Sequence, residues 1–536
     1  MSGSTLVHTL QCWREARSAL DHAIQNYLDK TIALQSDLQT HRLSGDLASV
    51  QNALPKTWAD DIKVPANYAK LAQTQTHLNQ IRNSCLPINT LPLEILSRVF
   101  RLSAFHSSHA HYNTSTPNPY DQDDRKDLLV LTHICTHWRE ILLSTQTFWS
   151  RFEINTKEDP ELAGQRARAY LDRASDAPLS FYLDEHPEHE LDSVVDYPAL
   201  KHFGAQFDRL ARLALMGHRR PRIAEEIMML WMKNGKPGTL HTLMIRMDTE
   251  YWFERVINLG DFSLTSEQIE SFLGPIRVLY LNGLRFHWDS SVYRNLVVLR
   301  MGSFREEYFP QIDQLLAILS ACPQLHTLQL FKMNILPSDL VGYEPVHLVE
   351  LEYLSLTHLA PESYSLLLPS IFSGSKDLTF RVSSLQMDEV LVHDSIRSFL
   401  TRTNVTRVHI QQCINDYSYD ISVYLSSLPH LQILVLDFCT FSGERCLAGL
   451  TRFDESKGAH IPLCPHLHTV YLLDGSFSTG VIQQVVESHH IRKLRFLECK
   501  IDPSEHELRC WLQLRVEDVR FYEEIPGGEI FDWYHL

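Results

Sequence analysis

One spacing of apolar residues recurs along much of the chain: an apolar residue, two variable residues, a second apolar residue, one variable residue and a third apolar residue. Between positions 299 and 434, the fourth residues of successive copies lie 29, 26, 26, 28 and 26 residues apart. Random apolar clustering does not keep such a period, so the pattern predicts a stack of similar units with one strand each. The copies occupy Leu210–Leu215, Leu240–Ile245, Ile276–Leu281, Leu296–Met301, Leu325–Leu330, Leu351–Leu356, Val405–Ile410, Leu431–Leu436, Leu467–Leu472, Ile491–Phe496 and Val516–Phe521, with a degenerate copy at Leu378–Val382.

Several units also contain a helix-like segment that ends at a proline before the next strand. The segments LLAILSACPQLHTLQL and VYLSSLPHLQILVL have this order, and IPLCPHLHTVYL is a variant without a helix. Proline stops a helix and favours extended backbone before it. The pattern and its period resemble those of leucine-rich repeats. They predict an α/β solenoid over residues 155–522, with parallel strands on the concave side and helices on the convex side.

Cysteine recurs at one position of this repeat. The ninth position of the leucine-rich pattern is Asn or Cys, and counting from three of the copies places Cys413, Cys439 and Cys499 there. We expect these side chains to point inward and to pack as small buried hydrophobes where the chain leaves the strand.

The first 85 residues predict a helical or coiled-coil segment. Its apolar residues are mostly three, four or seven positions apart, which is the seam of a heptad repeat. A break follows near residues 45–65, and a second helical pattern then begins. Two such helices either fold back as a hairpin or pair with another chain. The apolar positions are Leu10, Trp13, Leu20, Ile24, Tyr27, Leu34 and Leu38 in the first helix, and Tyr68, Leu71, Leu78 and Ile81 in the second.

Residues 86–154 predict a small helical domain with an inserted loop. Thr90 is a suitable N-cap, and Pro92 falls in the first turn, where its missing N–H costs nothing. A polar stretch at about 106–126 is rich in Ser, Asn, Pro and Asp, and is typical of an exposed loop. A second amphipathic helix is predicted after it, with apolar residues at helical spacing from Leu131 to Leu142.

This stretch resembles an F-box, in a combination of motifs that is more specific than any one of them. The leucine-proline start, the glutamate-isoleucine-leucine step, the apolar pair, the aliphatic-cysteine pair, the tryptophan-arginine pair and the closing tryptophan fall on Leu91, Pro92, Glu94, Ile95, Leu96, Val99, Phe100, Ile134, Cys135, Trp138, Arg139 and Trp149. The resemblance implies that these residues bind a Skp-type adaptor. A helical segment, an F-box and leucine-rich repeats in this order also resemble a fungal F-box family type.

The implied function is that of a substrate-recognition subunit in an SCF-type (Skp-cullin-F-box) ubiquitin ligase, with adaptor and cullin as partners and a protein target held by the repeats. The alternative is a non-ligase scaffold in which the F-box-like helices only cap the solenoid. The outward positions of the repeat strands are the candidate target-binding residues: His326, Thr327, Gln329, Glu352, Ser355, Gln432, Val435, His468 and Tyr471. The tail at 523–536, with Phe531, Trp533 and Tyr534, either caps the last repeat or folds back onto the concave face.

Composition narrows the class of partner. The 536 residues include 65 Asp plus Glu and 49 Lys plus Arg, which gives a formal charge of −16. This balance argues against a nucleic-acid binder and against a polybasic membrane-surface protein, and it suggests a neutral or basic target. Charged residues near the start exclude a signal peptide and no apolar run is long enough to span a membrane, so we expect a cytoplasmic or nuclear protein.

The sequence lacks the common motifs for catalysis, cofactor binding and metal binding. The sequence has no phosphate-binding glycine loop, no G-x-S-x-G elbow, no H-E-x-x-H and no C-x-x-C pair. His133 and His137 lie four apart on a predicted helix, but Cys135 between them falls on a different face. We therefore expect no enzyme activity, no cofactor and no metal.

Overall fold

The computed structural model describes residues 3–43, 83, 86–105, 124–185, 198–217, 221–247, 256–257, 264–338, 344–383, 390–411, 422–437, 447–454, 459–502 and 505–522. The chain divides into two compact units, Met1–Leu91 and Pro92–Leu536.

Among the described residues of the first unit is a long helix, α1 (Gly3–Leu43). The seam residues Trp13, Leu20, Ile24 and Tyr27 are all exposed on it. A short 3-10 helix, Pro87–Thr90, closes the unit. The second helical pattern, predicted through Tyr68–Ile81, lies outside the described residues, so the choice between hairpin and partner helix stays a prediction.

Three helices open the second unit: α2 (Leu93–Phe105), α3 (Asp124–Ile134) and α4 (Thr136–Ser144). The predicted single helix after the insert is therefore two helices. Cys135 separates them with an extended backbone, φ −157° and ψ 165°, and its sulfur accepts a hydrogen bond from the Trp138 N–H, which caps α4. Residues 106–123 of the predicted loop lie outside the described part, and the last residues of the predicted loop begin α3.

A fourteen-stranded parallel sheet follows, in which neighbouring strands pair in chain order. Six further strands form three two-stranded sheets beside it. The strands of the large sheet are β1 (Arg151–Asn155), β2 (Leu179–Asp184), β3 (Leu210–Gly217), β4 (Thr242–Met247), β5 (Val278–Asn282), β6 (Val298–Gly302), β7 (Thr327–Phe331), β9 (Tyr353–Thr357), β11 (Leu378–Ser383), β12 (Val405–Gln411), β13 (Ile433–Asp437), β16 (Thr469–Leu473), β18 (Lys493–Leu497) and β20 (Asp518–Tyr522). The small sheets are β8 (Val346–Leu348) with β10 (Ile371–Ser373), β14 (Thr451–Asp454) with β15 (Ala459–Pro462), and β17 (Ser476–Ser478) with β19 (Lys500–Asp502).

The repeat prediction is confirmed at all twelve marker positions. The fourth residue of every predicted copy lies on a strand, and each is the register partner of the next, from Leu213 opposite Leu243 to Leu494 opposite Val519. Two strands were missed. β1 and β2 extend the same row with Phe152 and Phe181, so the sheet begins inside the predicted helical domain, at Arg151. The repeat pattern did not predict these two copies, because phenylalanine stands at their marker positions.

Helices connect most of the strands on the side opposite the concave face, as expected for a leucine-rich repeat solenoid. Their bounds are α5 (Pro160–Ala174), α6 (Pro198–Gly204), α7 (Pro221–Asn234), α8 (Ser266–Leu273), α9 (Ile312–Ser320), α10 (Pro361–Leu367), α11 (Val390–Arg402), α12 (Ser422–Leu425), α13 (Thr479–His489) and α14 (Glu505–Gln513). One hydrophobic core runs between strands and helices, from Leu96 in α2 to Val516 before β20. The helices α2–α4 and the repeat array therefore share a core. No helix among the described residues is long and apolar enough to cross a membrane.

Three cysteines of the array are packed against the core. Cys322 and Cys464, which stand before prolines at the end of two units, are fully buried and donate hydrogen bonds to Tyr293 O at 3.0 Å and Leu425 O at 3.3 Å. Cys499 packs against the core and donates to Leu472 O at 3.1 Å. Burial raises the pKa of Cys464 to about 12 and that of Cys499 to about 11, and it also raises that of Cys322. Cys413 and Cys439 lie outside the described residues.

We predict that iodoacetamide at pH 7.5 modifies Cys12 and Cys510, which are exposed, and spares the three packed thiols of the folded chain. A thiol with a raised pKa holds almost no thiolate at this pH. Peptide mass spectrometry of the alkylated protein checks this, and Cys12 and Cys510 are the internal positive controls. Equal labelling of Cys464 and Cys510 before unfolding would contradict the described burial.

The buried histidine of α13 makes stability depend on pH. His489 is 3% exposed, its Nε2 has no hydrogen-bond partner among the described residues, and burial lowers its pKa to about 4. Between pH 6.5 and about 4 the unfolded chain binds a proton at this residue and the folded chain does not. The free energy of unfolding therefore falls as the pH falls through this window, by up to about 3 kcal/mol.

We predict that His489→Asn removes this part of the pH dependence, measured by urea unfolding at pH 7 and pH 4.5. The matched control is His490→Asn, because His490 is the neighbouring exposed histidine and its left-handed φ of 52° suits asparagine. A wild-type dependence that survives His489→Asn unchanged would assign the titration to other groups.

Candidate functional site

Large apolar side chains are exposed on the helices α2–α4. Ile134 is 51% exposed and Val130 58% exposed, although both lie on helices that contribute to the core. The exposed apolar set of α2–α4 is Leu93, Ile95, Leu102, Leu129, Val130, Ile134 and Leu143. Isolated apolar residues on a surface are ordinary, but seven on three short helices are typical of an interaction site.

Three of the residues predicted to bind the adaptor lie in the core instead. Leu96 and Phe100 are buried, and Trp149 is 3% exposed. The Trp149 indole donates from Nε1 to Leu142 O at 2.7 Å and stacks edge-on against Tyr170, with ring centroids 5.0 Å apart. These side chains are therefore not part of the exposed surface, because the helices need them to pack on one another and on α5. The prediction that Trp149 anchors a partner is corrected accordingly.

The remaining predicted adaptor residues are at least partly accessible. Leu91, Pro92, Glu94 and Ile95 are exposed, while Val99 is half-buried on α2. Leu91 is the last residue of the first compact unit, whereas the other predicted adaptor residues belong to the second unit. The F-box-like motif does not include Leu93, Leu102, Leu129, Val130 and Leu143. All but Leu93 lie one or two residues from a buried helical position.

The turn between α3 and α4 is held by the tryptophan-arginine pair. Trp138 is half-buried, and its ring packs against Phe100 with centroids 4.7 Å apart. Arg139 donates from Nε to Thr132 O at 2.9 Å, which ties α4 to the end of α3. This motif therefore fixes the angle between the two helices and leaves Ile134 on the outside.

The concave face is the second candidate surface. We define it by the three residues of each strand of the large sheet that alternate with the core residues and lie on the opposite side of the sheet. These are the positions that the repeat pattern predicts to point away from the core, and they are called inward positions below because they face the concave side. Four predicted target-binding residues form part of its central row: Gln329, Ser355, Val435 and Tyr471. Thr327 lies on the same face, one row away. His326, Glu352, Gln432 and His468 instead stand just before the strands begin, at the rim.

Rim residues form ion pairs across repeats. Lys376 Nζ lies 2.6 Å from Glu352 Oε1 and 2.8 Å from Glu350 Oε2. This pairing lowers the pKa of Glu350 and raises the pKa of Lys376. Such exposed pairs contribute little to stability. A partner that binds Glu352 would therefore replace only a weak ion pair with Lys376.

The concave face carries charge opposite to that of the whole chain. Among the described strands, its inward positions hold nine Arg and Lys and four Asp and Glu, whereas the full sequence has a formal charge of −16. The net charge of −16 suggested a neutral or basic target, whereas the charge of this face favours an acidic one, because net charge does not show where the charges lie. The basic residues are Arg151, Arg212, Arg246, Arg300, Arg381, Arg407, Lys493, Arg495 and Arg520, and the acidic ones are Glu153, Asp184, Asp437 and Asp518.

Asp437 and Asp518 are paired with His409 and Arg495 within the face, and Asp184 accepts a hydrogen bond from Asn155 Nδ2 at 3.1 Å. His409 Nε2 lies 3.3 Å from Asp437 Oδ2, and both side chains are buried. Asp518 forms an ion pair with Arg495 that lowers its pKa. These pairs reduce the negative charge that a ligand on this part of the face encounters.

An apolar concave cluster lies beside these charges. Val435, Tyr471, Leu473 and Leu497 pack together on the inward positions of β13, β16 and β18, separately from the main core. Ile433 and Tyr522 pack against the cluster. The Nζ atom of Lys493 lies over the Tyr471 ring, 5.4 Å from its centroid. Repeat-pattern analysis named Val435 and Tyr471 but could not show that they join Leu473 and Leu497.

Within the described ranges, no three His, Cys, Asp or Glu side chains come together in an arrangement that would hold a metal ion.

Comparisons with known proteins add little to these observations. No family model matches the sequence, and no curated protein matches it. Among solved structures, an internalin from Listeria monocytogenes str. 4b F2365 is similar at 12% identity over 71% of this chain and 90% of that chain, with a TM-score of 0.26. A superposition of this quality supports no conclusion, so the leucine-rich repeat assignment rests on the chain's own strand register.

Proposed function

We propose that this protein is a substrate-recognition subunit of an SCF-type ubiquitin ligase. The exposed apolar set of α2–α4 binds a Skp-type adaptor, which connects to the cullin, and the concave face of the repeats binds a protein target. The observation that carries the proposal is this apolar set, on helices that resemble an F-box in sequence. Ubiquitin transfer would then be promoted by proximity, because target lysines are held at high effective concentration near the charged enzyme.

The shared hydrophobic core supports a fixed geometry between the two surfaces. Phe100 and Trp149 of the helical domain belong to the same core as Tyr170 of α5 and Phe181 of β2. Such continuous packing transmits orientation, because cores are close-packed and deform little. A target on the repeats would then keep one orientation relative to an adaptor on α2–α4.

The second candidate function is a non-ligase scaffold in which the helices cap the solenoid. The same shared core favours it, because α2–α4 extend the core beyond β1. Capping and adaptor binding use different residues: the buried ones cap, and the exposed ones remain for a partner. Deleting the whole domain would unfold the array under either function, so substitutions on the exposed set are needed to separate them.

We predict that the double substitution Ile95→Asp, Ile134→Asp lowers affinity for a purified Skp-type adaptor by about 30-fold or more, because losing a hot spot costs about 2 kcal/mol. Both side chains are exposed, so the melting temperature should change little. Biolayer interferometry with immobilised adaptor measures the affinity, and thermal unfolding checks the fold.

The matched control is Leu514→Asp, which places the same new charge on an exposed leucine at the far end of the array, 82% exposed. It should bind the adaptor like the wild type. If the wild type itself does not bind the adaptor at micromolar concentration, the ligase proposal is wrong and the scaffold remains.

A further inference from the structure

The concave face selects a partner by charge as well as by shape. Lys493, Arg495 and Arg520 lie on the last two strands beside the apolar concave cluster, and Asp518, which pairs with Arg495 and Arg520, is the one acidic inward residue of these two strands. A segment that fits this site has acidic side chains for the cations and aromatic or large aliphatic side chains for the cluster.

The chain itself contains such a segment directly after its last strand. Residues 523–536, EEIPGGEIFDWYHL, contain four acidic residues, no Lys or Arg, and the aromatic residues Phe531, Trp533 and Tyr534. Tyr522, which precedes it, is the register partner of Leu497 and packs against the apolar concave cluster. The segment therefore starts beside the site that matches its composition.

Its length is sufficient to cross the cluster. Val435 lies three strands away from β20 in the sheet, a distance of about 14 Å at roughly 4.8 Å per strand. Phe531 is nine residues beyond Tyr522, and nine extended residues reach about 30 Å. The sequence Pro526-Gly527-Gly528 within this segment is typical of a turn.

The apolar concave cluster is itself well packed. Val435, Tyr471 and Leu473 are between 3% and 5% exposed. Among the described residues, the hydrophobic side chains that pack against the cluster are Ile433 and Tyr522, and Tyr522 directly precedes the segment 523–536.

We propose that residues 523–536 lie across the concave face, with their aromatic side chains on the apolar concave cluster and their acidic side chains beside Lys493 and Arg520. The tail thereby occupies the site in competition with an acidic, aromatic segment of a target. Docking of the tail follows from the surface alone, whereas its role as a competitor rests on the proposed target-binding function. As an intramolecular ligand the tail acts at millimolar effective concentration, so a target must bind tightly or the tail must be displaced.

The test uses a fluorescein-labelled peptide of residues 523–536 as the probe and the full chain as the receptor. The double substitution Phe531→Ala, Trp533→Ala should release the resident tail, so that this variant binds the peptide at least tenfold more tightly than the wild type by fluorescence anisotropy. Raising the NaCl concentration from 50 to 500 mM should weaken the binding, because exposed charges are screened. Equal affinity of the two proteins, or no binding to the variant, overturns the proposal.

Charge reversal locates the binding site. In the tail variant, the further change Lys493→Glu, Arg520→Glu should abolish peptide binding. Lys233→Glu, Arg397→Glu is the matched control on the exposed surface of the helices α7 and α11 and should leave it intact. Equal losses from both reversals would show non-specific attraction, and they contradict a concave site.

Two further readouts distinguish the remaining explanations. If the tail caps the last repeat instead, Phe531→Ala, Trp533→Ala lowers the melting temperature by several degrees and creates no peptide site, which overturns the proposal. Adaptor binding by the same variants should equal that of the wild type, because the exposed apolar set lies on α2–α4. Failure of tail docking is thus distinguishable from failure of the ligase proposal.

Discussion

The in-register pairing of parallel strands is the interaction on which the other features depend. Each strand places alternate residues into one shared core and the others on one shared face. The next strand must have the same alternation of core and face residues, in the same register, to pair with it. Leu328 opposite Leu354, and Gln329 opposite Ser355, show both rows continuing across a repeat boundary. A slip of one residue in any unit would place leucines on the concave face and charged residues in the core.

The alternation of core and face residues explains which parts of the structure could be predicted from the sequence. Leucine at fixed offsets revealed twelve strands and their partners, because burial selects those positions. β1 and β2 escaped because Phe152 and Phe181 fill the leucine sites. Contacts among the inward residues were harder to predict, because the leucine pattern marks only the core positions of each strand. Val435, Leu473 and Leu497 meet through lateral pairing of strands that are distant in sequence.

The helical domain shows a different limit of prediction. A motif identifies which residues matter but not on which side they lie, so Trp149 was assigned to a surface although it donates a hydrogen bond within the core. Likewise the apolar spacing across Cys135 indicated one helix, because periodicity does not register a single extended residue. Burial depends on how helices meet, and the angle between α3 and α4 is set by the Arg139 contact to Thr132 O.

The spacing between markers also varies, from 20 residues between Leu279 and Leu299 to 36 between Leu434 and Val470, and both pairs of markers are register partners. Pairing constrains only about six residues of each unit, and the connecting segments carry the difference in length. An insertion in a connecting segment would therefore lengthen the chain outside the sheet and leave the concave face unchanged. Whole units gained or lost would lengthen or shorten that face by one strand spacing, about 4.8 Å, at a time.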